Sequence, residues 1–357
     1  MIQSTLITRE EDFLGLEKEW KALLPQTAAD NIFLSWEWVS TWWEVFGEGK
    51  QPHILAFRDG AKLVGILPCY TRSRPLLRLG KIRELRFIGT GETVRSEFLD
   101  LIWLPVHREE CLELLEEFLS RDRNWDIAVF TDLKDVSTLG PFLADRFPGQ
   151  EVINREPCYY VEIPPDFETY LEGLDSRMRR NIRNRRRNLA RDFLVEYRRL
   201  GEEDNLEEWM EEFKRLHAAR LKERGLPSKF SDPSYLRFHS LLSKTLHNRG
   251  YLFAADLRLD KKTVAARYNF LYNSAVYDYQ TGYDPAYGRK GVMQALISYM
   301  IEDCTIEKLK KFDFLAGSED YKRHFANAET EISSRRIVNQ TFRGKLYRSL
   351  HRLKPGA

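Results

Sequence analysis

Apolar residues in FLSWEWVSTWWEVFG recur at steps of three and four, placing Phe33, Trp36, Val39, Trp43 and Phe46 on one helical face; the preceding EDFLGLEKEWKALL also reads as a helix. The period then changes to two. HILAFRDGAKLVGILPCYTR sets two apolar runs around Asp59-Gly60, a dipeptide that strongly favours a tight β-hairpin. ELRFIGT, EFLDLIWLP and DIAVF read as strands, REECLELLEEFLSRD as a helix, and CYYVEIP as a last strand before Pro164-Pro165 closes this half. Beyond the prolines, DFETYLEGLDSRMRRNIRNRRRNLARDF is helical and LVEYRRL a short strand. Asp204 and Glu207 form a capping box for NLEEWMEEFKRLHAARLKER, which buries Leu206, Trp209, Met210, Phe213 and Leu216 and stops at Gly225. YLFAADLRLDKKTVAARYNFLY repeats the hairpin pattern, followed by the strand AVYDYQTGY, the helix VMQALISYMIEDCTIEKL and the strand KFDFL.

The two halves thus share one order: helix, hairpin, strand, helix, strand. Lys62-Leu63-Val64-Gly65 in the first hairpin aligns with Lys262-Thr263-Val264-Ala265 in the second. An α/β (α+β) fold in two lobes is expected, spanning 1–164 and 165–345, with a basic tail at 346–357. The length of 357 residues agrees, since one core stops growing near ~250–300.

Charge is balanced overall and concentrated locally. Lys and Arg number 56 against 54 Asp and Glu, a net charge of +2, whereas proteins that hold nucleic acid by bulk charge carry their basic excess across a whole domain. No stable nucleic-acid partner is expected. SRMRRNIRNRRRNLARDF, residues 176–193, nevertheless holds eight arginines and one acid, Asp192. Met178, Ile182, Leu189 and Phe193 fall within about 60° of one another on its helical wheel, so the helix packs on the domain with most arginines on the opposite arc. Arg179, Arg180 and Arg183 are the positions expected to contact an anion, with a solvated face paired to Glu-rich neighbours such as EEWMEEF as the alternative.

Other chemistries are excluded by pattern. Cys69, Cys111, Cys158 and Cys304 form no CxxC pair and the seven histidines no H-E-x-x-H, so no metal site is expected. GTGETV at Gly89 lacks the third glycine of a dinucleotide loop, and neither a P-loop nor a G-x-S-x-G elbow occurs. MIQSTLITREEDF is not a signal peptide and no apolar run approaches the ~18 residues of a membrane span, which points to a cytoplasmic location.

What remains is YDYQTGYDPAYGRKGVMQALISYM. A strand runs into a loop holding Gly282, Gly288 and Gly291 with Arg289 and Lys290, directly before a long helix that begins at Val292. Free amides and the helix dipole at such a start favour an anion, here a diphosphate. On the strand, alternation places Asp278 and Gln280 on one face, Tyr277 and Tyr279 on the other. Asp278 is the general-base candidate, with a structural acceptor role as the alternative. Tyr321, after KFDFL, is a candidate to protonate a leaving group and Lys322 beside it to hold an anionic substrate group, with a tyrosine packing the domain edge and a solvated lysine as the alternative. Arg267 stands among apolar neighbours and requires an acid or a phosphate. Trp38 lies off its helix's main stripe and is a candidate to line a groove.

The arginine helix SRMRRNIRNRRRNL, AARYNFLYNSAVYDYQTGYDPAYG and FDFLAGSEDYKRHFA, in this order, resemble the GNAT acyltransferase superfamily, specifically its two-lobed BioF-like or CelD-like branch related to the Fem peptidyltransferases. The resemblance covers most of 165–330 and extends through FLSWEWVSTWW and LVGILPCY. It implies tandem GNAT-like lobes, each a mixed, mostly antiparallel sheet flanked by helices, the first structural or substrate-shaping and the second catalytic. In that family acyl-CoA lies between two splayed strands with its pyrophosphate on the next helix, after a Q/R-x-x-G-x-G/A sequence; GRKGVM keeps an arginine and a glycine of that pattern. By resemblance, Gln280, Gly288, Arg289, Lys290, Gly291 and Val292 would hold acetyl-CoA or another acyl-CoA, and the acceptor would be an amino sugar or a cell-envelope or exopolysaccharide precursor, with or without phosphate. Two alternatives are an aminoacyl-tRNA-dependent transferase of Fem type and a non-catalytic nucleic-acid-binding protein.

Overall fold

The computed structural model describes residues 1–76 and 80–352; the end of the expected basic tail, 353–357, lies outside the described residues. The chain divides into two compact units, one built from 1–156 together with the chain from 331 onward, the other from 157–330.

In the first unit, β1 (Ile2–Ile7), α1 (Glu10–Leu14), α2 (Glu17–Leu23), α3 (Trp36–Phe46), β2 (Gln51–Pro52), β3 (Ile54–Asp59), β4 (Lys62–Leu67), β5 (Cys69–Pro75), β6 (Lys81–Phe87), β7 (Ile102–Trp103), α4 (Arg108–Arg121), β8 (Ile127–Lys134) and α5 (Leu139–Arg146) follow in order. The helix expected over EDFLGLEKEWKALL is two short ones, and EFLDLIWLP contributes only the two residues of β7. β1, β3, β4 and β7 form one sheet, with β3 and β4 as the expected hairpin. Ser35 caps α3 by accepting the Trp38 N–H. Trp38 lines no open groove: its ring is fully buried, 4.8 Å from Phe33, and its indole N–H donates to Ser96 Oγ at 2.8 Å. An aromatic of this size gains more from burial than from exposure once its one polar atom has a partner.

The second unit begins within β9 (Glu151–Glu162) and continues through α6 (Phe167–Gly173), α7 (Ser176–Asp192), β10 (Val195–Arg199), α8 (Leu206–Glu223), α9 (Pro233–Asn248), β11 (Leu252–Leu259), β12 (Lys262–Tyr272), β13 (Ala275–Tyr283), α10 (Val292–Ile306), β14 (Lys311–Ala316) and α11 (Asp320–Phe325). Its strand order is β10-β11-β12-β13-β14-β9, antiparallel throughout except for the parallel pair β13 and β14. The mixed, mostly antiparallel sheet flanked by helices is the fold class expected. β15 (Ala328–Val338) then pairs with β8, Ile332 opposite Lys134 and Val338 opposite Ile127, and α12 (Phe342–Arg352) follows. This pairing returns residues 331–345, assigned from sequence to the second lobe, to the first unit.

Local chemistry sets the helix boundaries. The expected single helix over 166–193 breaks because Asp175 caps α7, accepting the N–H groups of Arg177 and Met178, both at 2.9 Å. Ile182 and Leu189 of α7 are buried and Met178 packs beside them, so the apolar stripe is as the periodicity requires. Asn205, not Asp204, caps α8; the Asp204 carboxylate accepts the Gly201 N–H at 2.7 Å instead.

The internal repeat extends to an irregularity. In the first hairpin Phe57 faces Gly65 and Arg58 faces Leu63, and in the second Leu257 faces Ala265 and Arg258 faces Thr263, so Val64 and Val264 are each skipped by the register. Both hairpins carry one bulge at the same step, which adds the same local twist to each.

Tyr268 on β12 touches Phe213 of α8 and His239 of α9, whereas Thr281, opposite Arg267, reaches Met293 of α10. Adjacent strand residues point to opposite faces, so α8 and α9 cover one face and α10 the other. The α8/α9 layer buries two histidines. Burial pushes His239 down to about 3 and, with Arg220 nearby, His217 to about 4. A histidine depressed by folding stabilises the folded form above its unfolded value near 6.5 and loses that contribution as pH falls toward the folded value. Stability is therefore expected to fall as pH drops below ~6.5, by about 3 kcal/mol per histidine on reaching pH ~4. His239→Phe should flatten that slope in denaturation curves measured from pH 7 to 4; an unchanged slope would exclude His239 as the cause.

Candidate active site

The second unit's sheet opens where β13 and β14 diverge. They pair at Ala275 with Lys311, Val276 with Phe312 and Tyr277 with Asp313, and at no later position. The divergence has a local cause on β14, whose register against β9 shifts between Asp313 and Ala316. Leu315 takes the left-handed φ of 59°, and the fully buried Asp313 carboxylate holds this turn by accepting the Leu315 N–H at 2.9 Å and the Lys311 ammonium at 2.6 Å. A cleft of about 660 Å³ lies at the opening, walled by β12 and β13, the last turns of α8, the 285–289 turn, the start of α10 and the β14–α11 turn.

β13 carries a bulge of its own. Tyr268 faces Gln280 and Phe270 faces Tyr277, leaving Asp278 and Tyr279 opposite the single residue Asn269, whose side-chain oxygen accepts the Tyr279 N–H at 3.2 Å. The extra residue breaks the period of two. Asp278 turns to Arg267, and Gln280 turns to the α8/α9 layer, where its amide donates to Tyr235 Oη at 3.1 Å. The expectation that Asp278 and Gln280 share a face is thus corrected, and the Gln280 side chain points away from the face that α10 covers.

Arg267 and Asp278 form an ion pair with side chains 3% and 2% exposed. Burial opposes the Arg267 charge, but Asp278 and the Tyr321 hydroxyl outweigh it and raise the guanidinium above its ordinary value. Arg267 and Tyr321 line the cleft; Asp278 is not among its wall residues and stands behind Arg267. Asp278 Oδ1 and Arg267 Nε are buried without a hydrogen-bond partner. Lys322 is committed to structure: 5% exposed, it donates to the Ala316 carbonyl at 2.7 Å and pairs with Glu319 at 3.1 Å. It ties down the turn after β14 and has no free ammonium to offer a substrate.

At the start of α10, Gly291 has φ 74°, a conformation that favours glycine, and the helix has neither a side-chain cap nor an acid in its first turn. A Cβ on Gly291 would stand 1.9 Å from Arg185 Nη1, so the guanidinium of α7 lies over the helix start. Gly288 and Arg289 line the cleft. Lys290 instead lies 5.0 Å from the Phe193 ring centre, and the Val292 side chain is core, leaving only its amide for a ligand.

The arginines of α7 divide by face. Arg183 pairs with Glu168, and Arg186 is held between the Phe167 and Tyr299 rings while bonding Ser298 and Glu302. Arg177 and Arg185 line a smaller hollow of about 270 Å³ that shares Gln294 and Tyr321 with the cleft. Arg179, Arg180 and Arg183 line neither hollow, so Arg185 takes the place expected for them. A signal for it exists in the sequence: Arg185 sits three residues after Ile182 and four before Leu189, a charge beside the buried stripe where solvation alone would not place one. Arg220 of α8, also in the cleft wall, carries the same kind of signal, four residues after the buried Leu216 and three after the buried His217. Among the described residues, no three His, Cys, Asp or Glu side chains group as a metal site, and no helix is long and apolar enough to cross a membrane.

Residues 176–323 match the family model described as acetyltransferase (GNAT) domain. No curated protein matches the sequence. Among solved structures the chain is similar to FemX, at 11% identity and TM-score 0.64 over 98% of this chain and 99% of that one. It is also similar to the C-terminal domain of a protein assigned as a lysylphosphatidylglycerol synthetase in Agrobacterium fabrum, at 12% identity and TM-score 0.53 over 95% of both chains. L-PGS from Bacillus licheniformis follows at 11% identity and TM-score 0.51, over 94% of this chain and 95% of that one. At such identities these likenesses concern the fold. The parted strands, the helix that starts on Gly291 and the family match agree: residues 176–323 carry a GNAT acetyltransferase domain, and the whole chain has a two-lobed fold similar to that of FemX.

Proposed function

We propose that the protein transfers an acyl group from acyl-CoA, acetyl-CoA being the simplest donor, to the amine of an amino sugar or another cell-envelope or exopolysaccharide precursor. The observation that carries this reading is the cationic cleft at the divergence of β13 and β14, bordered by the uncapped start of α10. A diphosphate there would meet the first-turn amides of α10 from Val292 onward, the Gly291 N–H being engaged by the Gly288 carbonyl at 3.0 Å, together with the helix dipole and the guanidinium groups of Arg289 and Arg185. The thioester would then extend into the gap between the strands.

The acceptor amine attacks the thioester carbon, forming a C–N bond and placing the carbonyl electron pair on oxygen. Collapse breaks the C–S bond, and the thiolate leaves with a proton. Tyr321, which borders both hollows, is positioned to supply that proton. Glu319, the carboxylate on the cleft wall beside it, would receive the proton released by the amine while its Oε2 keeps the pair with Lys322. Asp278 orients Arg267 in this scheme rather than acting as the base, because Arg267 stands between it and the cleft.

Acetyl-CoA and longer acyl-CoA esters are expected to bind with micromolar affinity in calorimetry and to raise the melting temperature. Absence of binding by every ester, with turnover supported by charged tRNA, would replace CoA by an aminoacyl-tRNA donor. Steeply salt-dependent binding of uncharged nucleic acid without transfer would favour the non-catalytic reading.

A further inference from the structure

The donor site leaves the arginines on the α8 side of the cleft unexplained. Arg220 and Arg224 stand one turn apart at the end of α8, and both line the cleft with Arg267. Like charges four residues apart on a helix repel. Cations near a helix C-terminus are favoured by the dipole, which accounts for the exposed Arg224 but not for Arg220, which is half-buried. Burial lowers the Arg220 guanidinium, and Arg224 and Arg267 lower it further. Among the described residues neither Arg220 nor Arg224 has a carboxylate in ion-pair or hydrogen-bond contact. Of the two acids nearby, Glu223 accepts the Tyr283 hydroxyl at 3.1 Å, and Glu319 pairs with Lys322 at 3.1 Å, its charge reaching Arg220 only beyond contact distance. Beside them, Arg267 keeps a buried Nε–H with no acceptor.

Three guanidinium groups thus converge on one wall, one of them with a desolvated donor unused. A buried donor without an acceptor is costly unless a ligand completes it. We propose that Arg220, Arg224 and Arg267 bind an anionic group of the acceptor, a carboxylate or a phosphate carried near the reacting amine. This rests on the acyl-CoA reading for the opposite end of the cleft and narrows the acceptor class: a neutral amino sugar leaves Arg220 and Arg224 without a contacting carboxylate and the Arg267 Nε–H without an acceptor, whereas an amino acid or a sugar phosphate supplies both. Planar guanidinium forks suit both anions.

The test separates donor from acceptor. Calorimetry with CoA reads the donor site for the wild type, R220Q and R224E; the last is an exposed charge reversal that leaves the core untouched. Glucosamine 6-phosphate against glucosamine, and alanine against alaninamide, are then titrated into the same proteins, with CoA at saturation wherever CoA binds. The anionic member of one pair is expected to bind at least ~10-fold more tightly than its neutral partner, and which pair shows this identifies phosphate or carboxylate. Both variants should reduce the preference to below ~3-fold while changing CoA affinity by less than ~3-fold. No preference in either pair, or a preference that survives both variants, overturns the proposal. So does an equal loss of CoA affinity, which would assign these arginines to the donor and leave the acyl-CoA reading standing. Failure of CoA to bind the wild type counts against the donor alone.

Discussion

Replacing Arg267 by methionine is expected to destabilise the protein by about 3–5 kcal/mol, because it strands the Asp278 carboxylate in an apolar interior. The pair is 3% and 2% exposed, and Asp278 Oδ1 already has no hydrogen-bond partner, so no other group can take over. The reverse change, Asp278→Leu, strands a guanidinium that also faces the cleft and can be partly solvated through it, so its cost should be smaller. Removing both charges together should recover most of the loss, since two apolar side chains of similar volume restore packing without desolvating ions. Urea denaturation of the two single variants and the double variant checks this. Near-additive losses in the double variant would show that the two charges do not interact and that the α10 side of β13 is organised differently. The double variant also separates stability from function: folded and lacking Arg267, it should remain inactive.

Arg185→Ala should weaken acetyl-CoA binding by about 10- to 100-fold, the loss of one or two charge-assisted hydrogen bonds worth about 1.5–3 kcal/mol. Its guanidinium lies over Gly291, where no acid or side-chain cap competes for the first-turn amides of α10. A cation near the positive end of a helix is unfavourable by itself and becomes favourable with an anion between them. Arg180→Ala, on the exposed arc of the same helix, should change affinity by no more than about 2-fold. Calorimetry at two salt concentrations distinguishes the cases, and the wild type should lose affinity with salt more steeply than Arg185→Ala. Equal effects of the two substitutions would mean that α7 acts through bulk charge, not through one placed side chain.

Several corrections at the site share an origin in contacts distant along the chain. Lys322 lies in the first turn of α11, shortly after a strand, a position from which it could reach a ligand; it folds back to the Ala316 carbonyl only because Leu315 turns left-handed over Asp313. Trp38 looks surplus to its helix until Ser96, 58 residues later, supplies its hydrogen-bond acceptor. Arg179, Arg180 and Arg183 match Arg185 in residue type; spacing to the buried stripe sets Arg185 apart, and the proximity of α10 gives that position its role over Gly291.

The sequence by itself determined the order of most helices and of the hairpins, though not α5, α9 or α12, as well as the repeat of that order, the packed stripe of the arginine helix and the glycine at which α10 starts. Each follows from local periodicity, turn chemistry or capping, which act over a few residues. Only the tertiary structure decided which side chains meet. One extra residue in β13 opposite Asn269 sends Asp278 to Arg267 and Gln280 to Tyr235, reversing an assignment that strict alternation makes certain. A bulge depends on the partner strand as much as on its own residues, and the parting of β13 from β14 depends on a kink held by Asp313. Strand register joins residues far apart in the chain, so it becomes defined only when the sheet is assembled.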